Sequence, residues 1–338
     1  MSILNFASRD LGIDLGTANI LVTLRDKGII YREPSVVAYN KETGEVIAIG
    51  EKAKSMLGKT PKNIVAIRPL KDGVIADFTA TKLMLKEVLE KVCGKYRVTK
   101  PKVVVGVPSG ITEVEARAVE EAIISSGASE VYLVDEPMAA AIGSGLRVGE
   151  PAGNIIVDIG GGTTEVAVVS LGGIVVSNSI KIAGDELTED IMQYAKRRLD
   201  IIIGENTAER IKKEIGCAKP LLTEEYREIR GRDASTGLPI VRDISSIEVE
   251  YALKMSLYKI AEAVKVALEQ TPPELISDIA VKGLMVAGGG ALIKNIDALL
   301  SERLEIPVYI SENPLDCVVN GTRRMLEDME TLEKVAKK

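Results

Sequence analysis

Three glycine-rich turns, each directly after an apolar run that predicts a strand, are the segments of this sequence best suited to bind an anion. Glycine allows a positive φ and a close approach of the backbone, so that its N–H groups can point at phosphate oxygens. One such turn alone is usually a plain tight hairpin, whereas three in one chain predict a phosphate-binding site. The turns are Gly16-Thr17, Gly160-Gly161-Gly162-Thr163 and Gly288-Gly289-Gly290.

Two aspartates, Asp14 and Asp158, stand at the ends of the strands that precede the first two turns. Facing carboxylates suit a hydrated Mg²⁺, which is typically held through one or two carboxylates together with water and substrate phosphates. The turns also carry side chains that can form hydrogen bonds. These side chains are Thr17, Asn19, Thr163 and Thr164.

Composition excludes several other kinds of chemistry. The 338 residues include no histidine, which rules out Ser-His-Asp triads, Cys-His dyads and histidine-ligated metals. The three cysteines, Cys93, Cys217 and Cys317, have no CxxC spacing, and structural thiols in a reduced cytoplasm are the simplest interpretation. A net charge of −6, 3% aromatic residues and the absence of Trp argue against nucleic acid as a partner.

The elements that must position these residues alternate along the chain, and this alternation predicts an α/β protein. Strands are predicted at 11–15, 20–24, 34–39, 102–107, 131–134, 154–159, 165–171, 174–180, 284–287 and 307–310. Helices are predicted at 79–93, 113–126, 185–200, 206–216, 246–270, 293–303 and 314–330. A capping box from Thr112 to Glu115 marks the start of the second of these helices.

An internal repeat links the first two turns. LGIDLGTAN (11–19) and VDIGGGTTE (157–165) share an apolar strand, an aspartate, an apolar residue, glycine and then threonine. A duplicated α/β half on each side of a cleft would produce this pattern. Chance similarity of two buried strands followed by glycine turns is the alternative.

Five segments in this order resemble the signature segments of the actin, Hsp70 and sugar-kinase superfamily. They are DLGTAN (14–19), VDEPMAAAIG (134–143), VDIGGGTTEVAV (157–168), AGGGALI (287–293) and NPLDCVVNGT (313–322). The stretches between them, among them EPSVVAYN (33–40) and GENTAERIKKEIG (204–216), resemble the MreB and Mbl family of bacterial actins. The resemblance covers about residues 9 to 330.

The resemblance implies a role for each matching residue. Glu136 would polarise the attacking water and Thr163 would help to position it, the alternative for Glu136 being a plain carboxylate at a helix N-terminus. Asp14 and Asp158 would hold Mg²⁺ through water. The implied ATP contacts are Thr17, Ala18 and Asn19 in the first turn, Gly160, Gly161, Gly162 and Thr163 in the second, Glu209, Arg210, Ile211 and Lys212 beside the ribose, and Gly288, Gly289 and Gly290 under the adenine.

The implied fold is α/β, an actin-like, ribonuclease H-like duplicated and bilobed ATPase with two large and two small subdomains. The expected boundaries are 1–32, 66–145 and 314–338 for subdomain IA, 33–65 for IB, 146–181 and 246–313 for IIA, and 182–245 for IIB. One position departs from the family pattern in the last segment, where Arg323 stands in place of the usual glycine. We therefore expect an altered local geometry there.

The function implied by the resemblance is that of a filament-forming bacterial actin. It would bind ATP and Mg²⁺, hydrolyse ATP, polymerise with itself and organise the cell-wall elongation machinery to maintain rod shape. Two alternatives use the same fold, a metabolite kinase and a chaperone-type ATPase. The kinase would need a catalytic Asp where this chain has VDEP, and the chaperone would need a peptide-binding domain after the ATPase.

The resemblance also implies membrane contact. The sequence has no apolar run of the roughly 18 residues that a membrane helix needs. The first nine residues are too short and wrongly charged for a signal peptide. Ile3, Leu4 and Phe6 could form a short amphipathic anchor, with the 94–100 loop as a second contact. A solvated N-terminus and loop are the alternative. The expected location is cytoplasmic, peripherally associated with the inner face of the cell membrane.

Overall fold

The computed structural model describes residues 10–94 and 100–337, with the backbone alone at 337. The strands are β1 Leu11–Leu15, β2 Asn19–Leu24, β3 Gly28–Pro34, β4 Val37–Asn40, β5 Val46–Ile49, β6 Ile64–Ile67, β7 Leu70–Lys71, β8 Val74–Ile75, β9 Lys102–Val107, β10 Glu130–Asp135, β11 Asn154–Ile159, β12 Thr164–Ser170, β13 Gly173–Ile180, β14 Ile201–Ile202, β15 Tyr226–Asp233, β16 Pro239–Ser245, β17 Leu284–Ala287, β18 Val308–Ile310 and β19 Ala336–Lys337. The helices are α1 Glu51–Lys54, α2 Phe78–Cys93, α3 Glu113–Ser125, α4 Glu136–Gly143, α5 Gly184–Arg198, α6 Glu205–Ile215, α7 Ser246–Glu269, α8 Pro273–Lys282, α9 Ile296–Leu304, α10 Cys317–Glu327 and α11 Met329–Val335. Short 3₁₀ turns lie at Gly289–Leu292 and Pro314–Asp316.

The chain folds into two compact units. Unit 1 comprises the described residues up to Pro151, the short segment Val169–Ile174 and the residues from Asp316 onward. Unit 2 comprises Ala152–Val168 and Val175–Leu315. The four subdomain boundaries expected from the sequence subdivide the chain more finely and stay a prediction.

The main sheets of the two units have the same strand order. In the second sheet the order is β13-β12-β11-β17-β18. Read in the same direction, the first sheet has the order β3-β2-β1-β9-β10, with β19 as a sixth strand beside β10. Strand β1 lies between β2, its antiparallel partner, and β9, its parallel partner. Strand β11 likewise lies between β12 and its parallel partner β17. The shared order confirms that the repeated sequence marks two equivalent α/β halves.

Each unit is built around its own apolar core. In unit 1, the β-branched and leucine side chains of β1 and β9 pack against the buried faces of α2 and α3. In unit 2, β11 and β17 pack against α5, α6, α7 and α9. Central strands that are apolar on both faces are typical of parallel pairs covered by helices. The predicted capping box of α3 is confirmed, because Thr112 and Glu115 exchange both hydrogen bonds.

Several predicted elements need correction. The run 34–39 is not one strand, because β3 ends at Pro34 and β4, which belongs to another sheet, begins at Val37. The helix predicted at 314–330 divides at Asp328, whose carboxylate accepts the Thr331 N–H and so begins α11. The hairpin β15–β16 was missed because its side chains are mostly polar. Arg323 lies inside α10, so the expected disturbance there is not seen.

Candidate nucleotide site

The first candidate metal ligand, Asp14, lies one residue before the end of β1 in unit 1. Burial raises the pKa of its carboxyl to about 7, an effect that Arg32 opposes and Asp316 increases. Arg32 itself is ion-paired with Asp316. A half-buried carboxylate with so raised a pKa is costly to ionise alone, and a nearby cation would favour its charged form. This environment fits a Mg²⁺ ligand.

The first glycine turn follows directly and is held by a residue from the β3–β4 connection. Ser35, fully buried, donates its hydroxyl to the Gly16 carbonyl oxygen at 2.6 Å and its N–H to the Ala18 carbonyl at 3.0 Å. Thr17 between them is also buried, whereas Asn19 is exposed. A Cβ on Gly16 would lie 2.8 Å from the Asn19 carbonyl oxygen, so the tight turn needs glycine for space. The expected positive φ is absent at Gly16.

Ser35 was missed as a functional residue. It lies within EPSVVAYN, a segment that carries the family resemblance but whose sequence alone does not connect it with the glycine turn. A small polar residue inside a run of apolar ones was the available signal. Such a residue needs a hydrogen-bond partner when it is buried.

The candidate catalytic residue, Glu136, is half-buried at the first position of α4, where the helix follows β10. Its side chain covers Gly106 in β9, where an added Cβ would be 3.1 Å from the Glu136 Cγ. Gly106 is the register partner of Asp14 in the neighbouring parallel strand. Residues in one row of a sheet point to the same face. The carboxylates of Glu136 and Asp14 therefore lie over the same face of the unit 1 sheet.

In unit 2, the second candidate metal ligand, Asp158, lies near the end of β11 and is only 7% exposed. The third glycine turn approaches it closely. A Cβ on Gly288 would lie 2.3 Å from Asp158 Oδ1, and a Cβ on Gly290 would lie 2.1 Å from Ile159 Cγ2. Gly288 also has a φ of 80°, a conformation that favours glycine. Gly289 has more space, since its nearest contact is Leu315 at 3.6 Å.

The second glycine turn is closed by its own hydrogen bond and held by the start of α5. The Gly160 N–H donates to the Thr163 carbonyl at 2.9 Å, so this amide is already used inside the turn. Two amides of α5 donate to the turn, Gly184 N–H to the Gly160 oxygen at 3.1 Å and Asp185 N–H to the Gly161 oxygen at 2.8 Å. Thr163 is buried beside them. As at Gly16, no positive φ occurs from Gly160 to Gly162.

The four residues predicted beside the ribose separate into two groups. Glu209 and Lys212 are joined by a salt bridge of 2.6 Å, and Lys212 reaches the Gly184 carbonyl beside the second turn at 2.5 Å. Burial tends to raise the pKa of Glu209, but the charges and hydrogen bonds of Lys212 and Lys213 outweigh it and lower that pKa to about 2.

The side chains of the other two residues, Arg210 and Ile211, do not point toward the second glycine turn. Arg210 is exposed and binds Glu214 and the Glu228 carbonyl. The Ile211 side chain is fully buried in the core of unit 2. The core therefore occupies the Ile211 side chain, and the place of Ile211 beside the ribose stays a prediction.

The donor set limits which metal the chain could hold. Within residues 10–94 and 100–337, no three His, Cys, Asp or Glu side chains cluster in a way that could hold a metal ion. A cation held by Asp14 or Asp158 would therefore need further oxygen ligands besides such side chains, and water and phosphate oxygens are suited to supply them. Mg²⁺ is the ion that accepts such a shell.

The predicted membrane contacts fall on other parts of the chain. Ile3, Leu4 and Phe6, and most of the 94–100 loop, lie outside the described residues. Among the helices that the structure describes, none is long and apolar enough to span a membrane.

Comparison with known proteins matches this chain along almost its full length. The family described as MreB/Mbl protein matches residues 8–334. The cell shape-determining protein Mbl of Bacillus subtilis strain 168 is 51% identical over 327 residues, covering 97% of this chain and 98% of that protein. The cell shape-determining protein MreB of Escherichia coli K12 is also 51% identical over 327 residues, covering 95% and 94%.

A solved structure agrees with the sequence relatives. The crystal structure of MreB 5 of Spiroplasma citri bound to AMPPNP has a TM-score of 0.90 and 41% identity, covering 95% of this chain and 96% of that one. This likeness and the two equivalent sheets define an actin-like α/β protein. The chain belongs to the MreB/Mbl family of cell shape-determining bacterial actins. Membership favours the cell-shape function over the metabolite kinase and the chaperone.

Proposed function

We propose that this protein binds and hydrolyses Mg-ATP and assembles with ATP into filaments that organise cell-wall synthesis. The observation that carries the proposal is the pair of tight glycine turns, each following a strand whose next-to-last residue is a buried or half-buried aspartate. The family assignment and the relative solved with AMPPNP support ATP as the ligand.

In this proposal, each carboxylate has a separate task. Asp14 and Asp158 bind Mg²⁺ through water, and the cation supplies charge that neutralises the phosphates when it is bound. Glu136 orients or deprotonates the attacking water, with Thr163 helping to position it. A half-buried carboxylate at a helix start is chemically suited to this task, and the chain has no histidine to share it.

Sedimentation with and without Mg-ATP tests the proposal. We expect the protein to pellet after Mg-ATP is added and to remain in the supernatant without nucleotide. Asp158→Ala should lose much of the Mg²⁺ dependence of ATP binding, since it removes a charge that faces the ion. A wild-type protein that binds ATP but phosphorylates a small metabolite and never pellets would support the kinase instead.

Membrane attachment is proposed through Ile3, Leu4 and Phe6. Burying each of these side chains contributes at most about 1.5–3 kcal/mol, while ordering the segment costs about 1–2 kcal/mol per residue. A single anchor is therefore marginal, whereas a filament presents many anchors together. Liposome flotation should show firm binding only for filaments, and deletion of residues 2–7 should abolish it without changing ATP hydrolysis. Equal flotation after the deletion would assign the contact to the 94–100 loop.

A further inference from the structure

Arg32 places a cation on the same face of the unit 1 sheet as the candidate metal ligand Asp14. Asp14 in β1 pairs with Leu21 in β2, and Leu21 pairs with Arg32 in β3, so the three residues form one row. Residues in one row point to the same face, and neighbouring strands lie about 4.7–4.9 Å apart, which puts the Cα atoms of Asp14 and Arg32 about 10 Å apart. Leu21 between them is buried and apolar. Along this row, Arg32 is therefore the residue that can bring positive charge toward Asp14.

The start of α10 covers this face and binds the Arg32 side chain. A Cβ on Gly106, the other neighbour of Asp14 in the row, would be 3.0 Å from Val318 Cγ1 in the first turn of α10. Arg32 Nη2 donates to Oδ1 of Asp316, the residue directly before α10. The ion pair therefore holds the guanidinium at the end of α10 that lies over the row of Asp14.

Two carboxylates and one guanidinium meet here, and we call Asp14, Arg32 and Asp316 the Arg32 cluster. Burial raises the pKa of the Asp14 carboxyl most, and Arg32 then lowers it while Asp316 raises it, so both charges act at that carboxyl. A polyphosphate approaching this face is repelled by the two carboxylates and attracted by the guanidinium. Arg32 is thus the member of the Arg32 cluster that is suited to bind an anion.

The Arg32 guanidinium can bind a second anion while it keeps its bond to Asp316. Its side chain is 42% exposed, twice the exposed fraction of the Asp316 side chain at 21%. A guanidinium has five N–H donors in a flat fork that matches the oxygens of carboxylates and phosphates. The bond to Asp316 Oδ1 uses one of these donors. An exposed ion pair adds little to stability by itself, so a phosphate can share the guanidinium or displace Asp316 at small cost.

We propose that Arg32 is a further phosphate-binding residue on the unit 1 side of the candidate nucleotide site, and that Asp316 holds its guanidinium there when no nucleotide is bound. This inference rests on the proposed function, since it takes the turn after Asp14 to bind phosphate. The guanidinium adds an attraction for the triphosphate that does not depend on Mg²⁺. Asp316 opposes this attraction, because it competes with phosphate for the same guanidinium.

The first test compares Arg32→Gln with Arg25→Gln in the full-length protein, with AMPPNP affinity measured in Mg²⁺ and in EDTA. Both variants remove one positive charge from unit 1. Arg25 lies at the other end of α10, where its Nη2 is 3.5 Å from the Glu327 carbonyl oxygen, and the 11 residues of α10 put the two ends about 16 Å apart.

Loss of a hydrogen bond to a charged group should weaken AMPPNP binding about tenfold or more in Arg32→Gln, in both conditions. Arg25→Gln should bind AMPPNP like the wild type. Equal losses in the two variants would overturn the proposal in favour of a general attraction between charges. Unchanged affinity in Arg32→Gln would overturn it as well.

Asp316→Asn separates a phosphate contact from an ion pair that only fastens α10 to β3. A phosphate contact predicts that Asp316→Asn binds AMPPNP in EDTA at least as tightly as the wild type, because the change removes a repelling charge and releases the guanidinium. A fastening role predicts weaker binding in both Asp316→Asn and Arg32→Gln, and that result would overturn the proposal. Arg32→Lys keeps the charge without the fork and should bind more weakly than the wild type but more tightly than Arg32→Gln. Asp316→Asn and Arg32→Lys also decide the matter should Arg32→Gln fail to fold.

Inorganic tripolyphosphate, used in place of AMPPNP, distinguishes failure of this inference from failure of the proposed function. If the wild type binds tripolyphosphate but not AMPPNP, the proposed function is wrong, and the comparison with Arg32→Gln still shows whether Arg32 binds phosphate. If the wild type and Arg32→Gln bind AMPPNP equally well, the inference is wrong and the proposed function stands. If the wild type binds neither probe, both are wrong.

Discussion

The glycine turns of the two units follow equivalent strands and have related sequences, but they are supported in different ways. In unit 1, the turn at Gly16 is held by the neutral hydroxyl and amide of Ser35, which comes from the connection between two strands. In unit 2, the turn at Gly160 is held by the first amides of α5, which are themselves fixed by Lys212 and its neighbours.

This difference indicates that the repeated strand-and-turn sequence does not determine which other residues form the hydrogen bonds that hold the turn. A neutral hydroxyl bond is little affected by salt or pH, whereas an ion pair depends on both. We therefore expect the ionic support of the turn in unit 2 to respond to acid and the Ser35 hydrogen bond in unit 1 to be indifferent to it. The chemistry is divided as well, since the half-buried carboxylate suited to orienting water, Glu136, belongs to unit 1.

The largest effect is expected at Glu136, which tests this division of chemistry. Glu136→Ala should slow ATP turnover by about 10²–10⁴-fold if the carboxylate acts as a general base. Nucleotide affinity should barely change, because the glycine-turn amides and Mg²⁺ supply the phosphate contacts. Phosphate release and AMPPNP affinity, measured on the same preparation, check both statements. Wild-type turnover in this variant would remove Glu136 from the mechanism.

The next effect concerns the third glycine turn in unit 2. In Gly288→Ala, the new Cβ would meet Asp158 Oδ1 and the Ile159 carbonyl in a backbone with a φ of 80°. Backbone strain of about 1–3 kcal/mol in this region, which is essentially restricted to glycine, and overpacking of about 1–3 kcal/mol should together lower the free energy of unfolding and weaken AMPPNP binding. Urea denaturation measures the free energy of unfolding. Gly289→Ala is the matched control, because an added Cβ has space at that position. Equal stability of both variants would contradict the close approach.

An acid titration separates the two supports directly. Glu209 has a folded pKa lowered to about 2 from 4.5, so its contribution to stability is complete above pH 4.5 and is lost as the pH falls toward 2. With 28% of the side chain exposed, solvent screening keeps this contribution to at most about 3 kcal/mol.

Denaturation of wild type and Glu209→Gln between pH 2 and pH 6 measures that contribution. The variant should lose part of the acid dependence, and its difference from wild type should shrink as the pH falls. Glu150→Gln removes an exposed ion pair with Arg147 and serves as the control, with an expected change below about 1 kcal/mol. A constant difference across the range would mean that Glu209 does not titrate with folding.

A smaller effect is expected for the neutral support in unit 1. Ser35→Ala removes the hydroxyl bond to the Gly16 carbonyl in a fully buried place and should cost about 1–3 kcal/mol. Ser55→Ala is the control, because its hydroxyl bonds to the Lys52 carbonyl in an exposed place. The loss at Ser35 should be the same at low and high salt. A strongly salt-dependent loss would erase the contrast between the two turns.

Much of the fold was predictable because its signals are local. Four predicted strands have the observed bounds, namely 11–15, 102–107, 154–159 and 284–287. Each is a short, mostly apolar run followed at once by glycine or proline, a pattern that needs no knowledge of the partner strand. The hairpin of β15 and β16 was missed for the converse reason, since its mostly polar side chains form no apolar run.

The sequence predicted the residues of the candidate site that could bind metal or phosphate. It did not predict the residues that support the glycine turns. Ser35 has an ordinary serine side chain and lies 19 residues from the turn that it helps to hold. Its role arises from hydrogen bonds between segments that are distant in the chain. The same holds for Lys212, which the resemblance assigned to the ligand and the structure shows bonded to three protein oxygens.

The sequence by itself determined the class of protein, the two repeated strands and turns, and the aspartates and glycines that could bind a magnesium-bound phosphate. Those features are read from residue types at short spacing, where the chemistry of a side chain and its neighbours is enough. The tertiary structure alone decided how each turn is supported and which glycines need a positive φ. It also decided which of the four α6 residues predicted beside the ribose, 209–212, face the second glycine turn. Hydrogen-bond partners are chosen by which segments the packed core brings within about 3 Å of one another, and that choice is made by the whole fold.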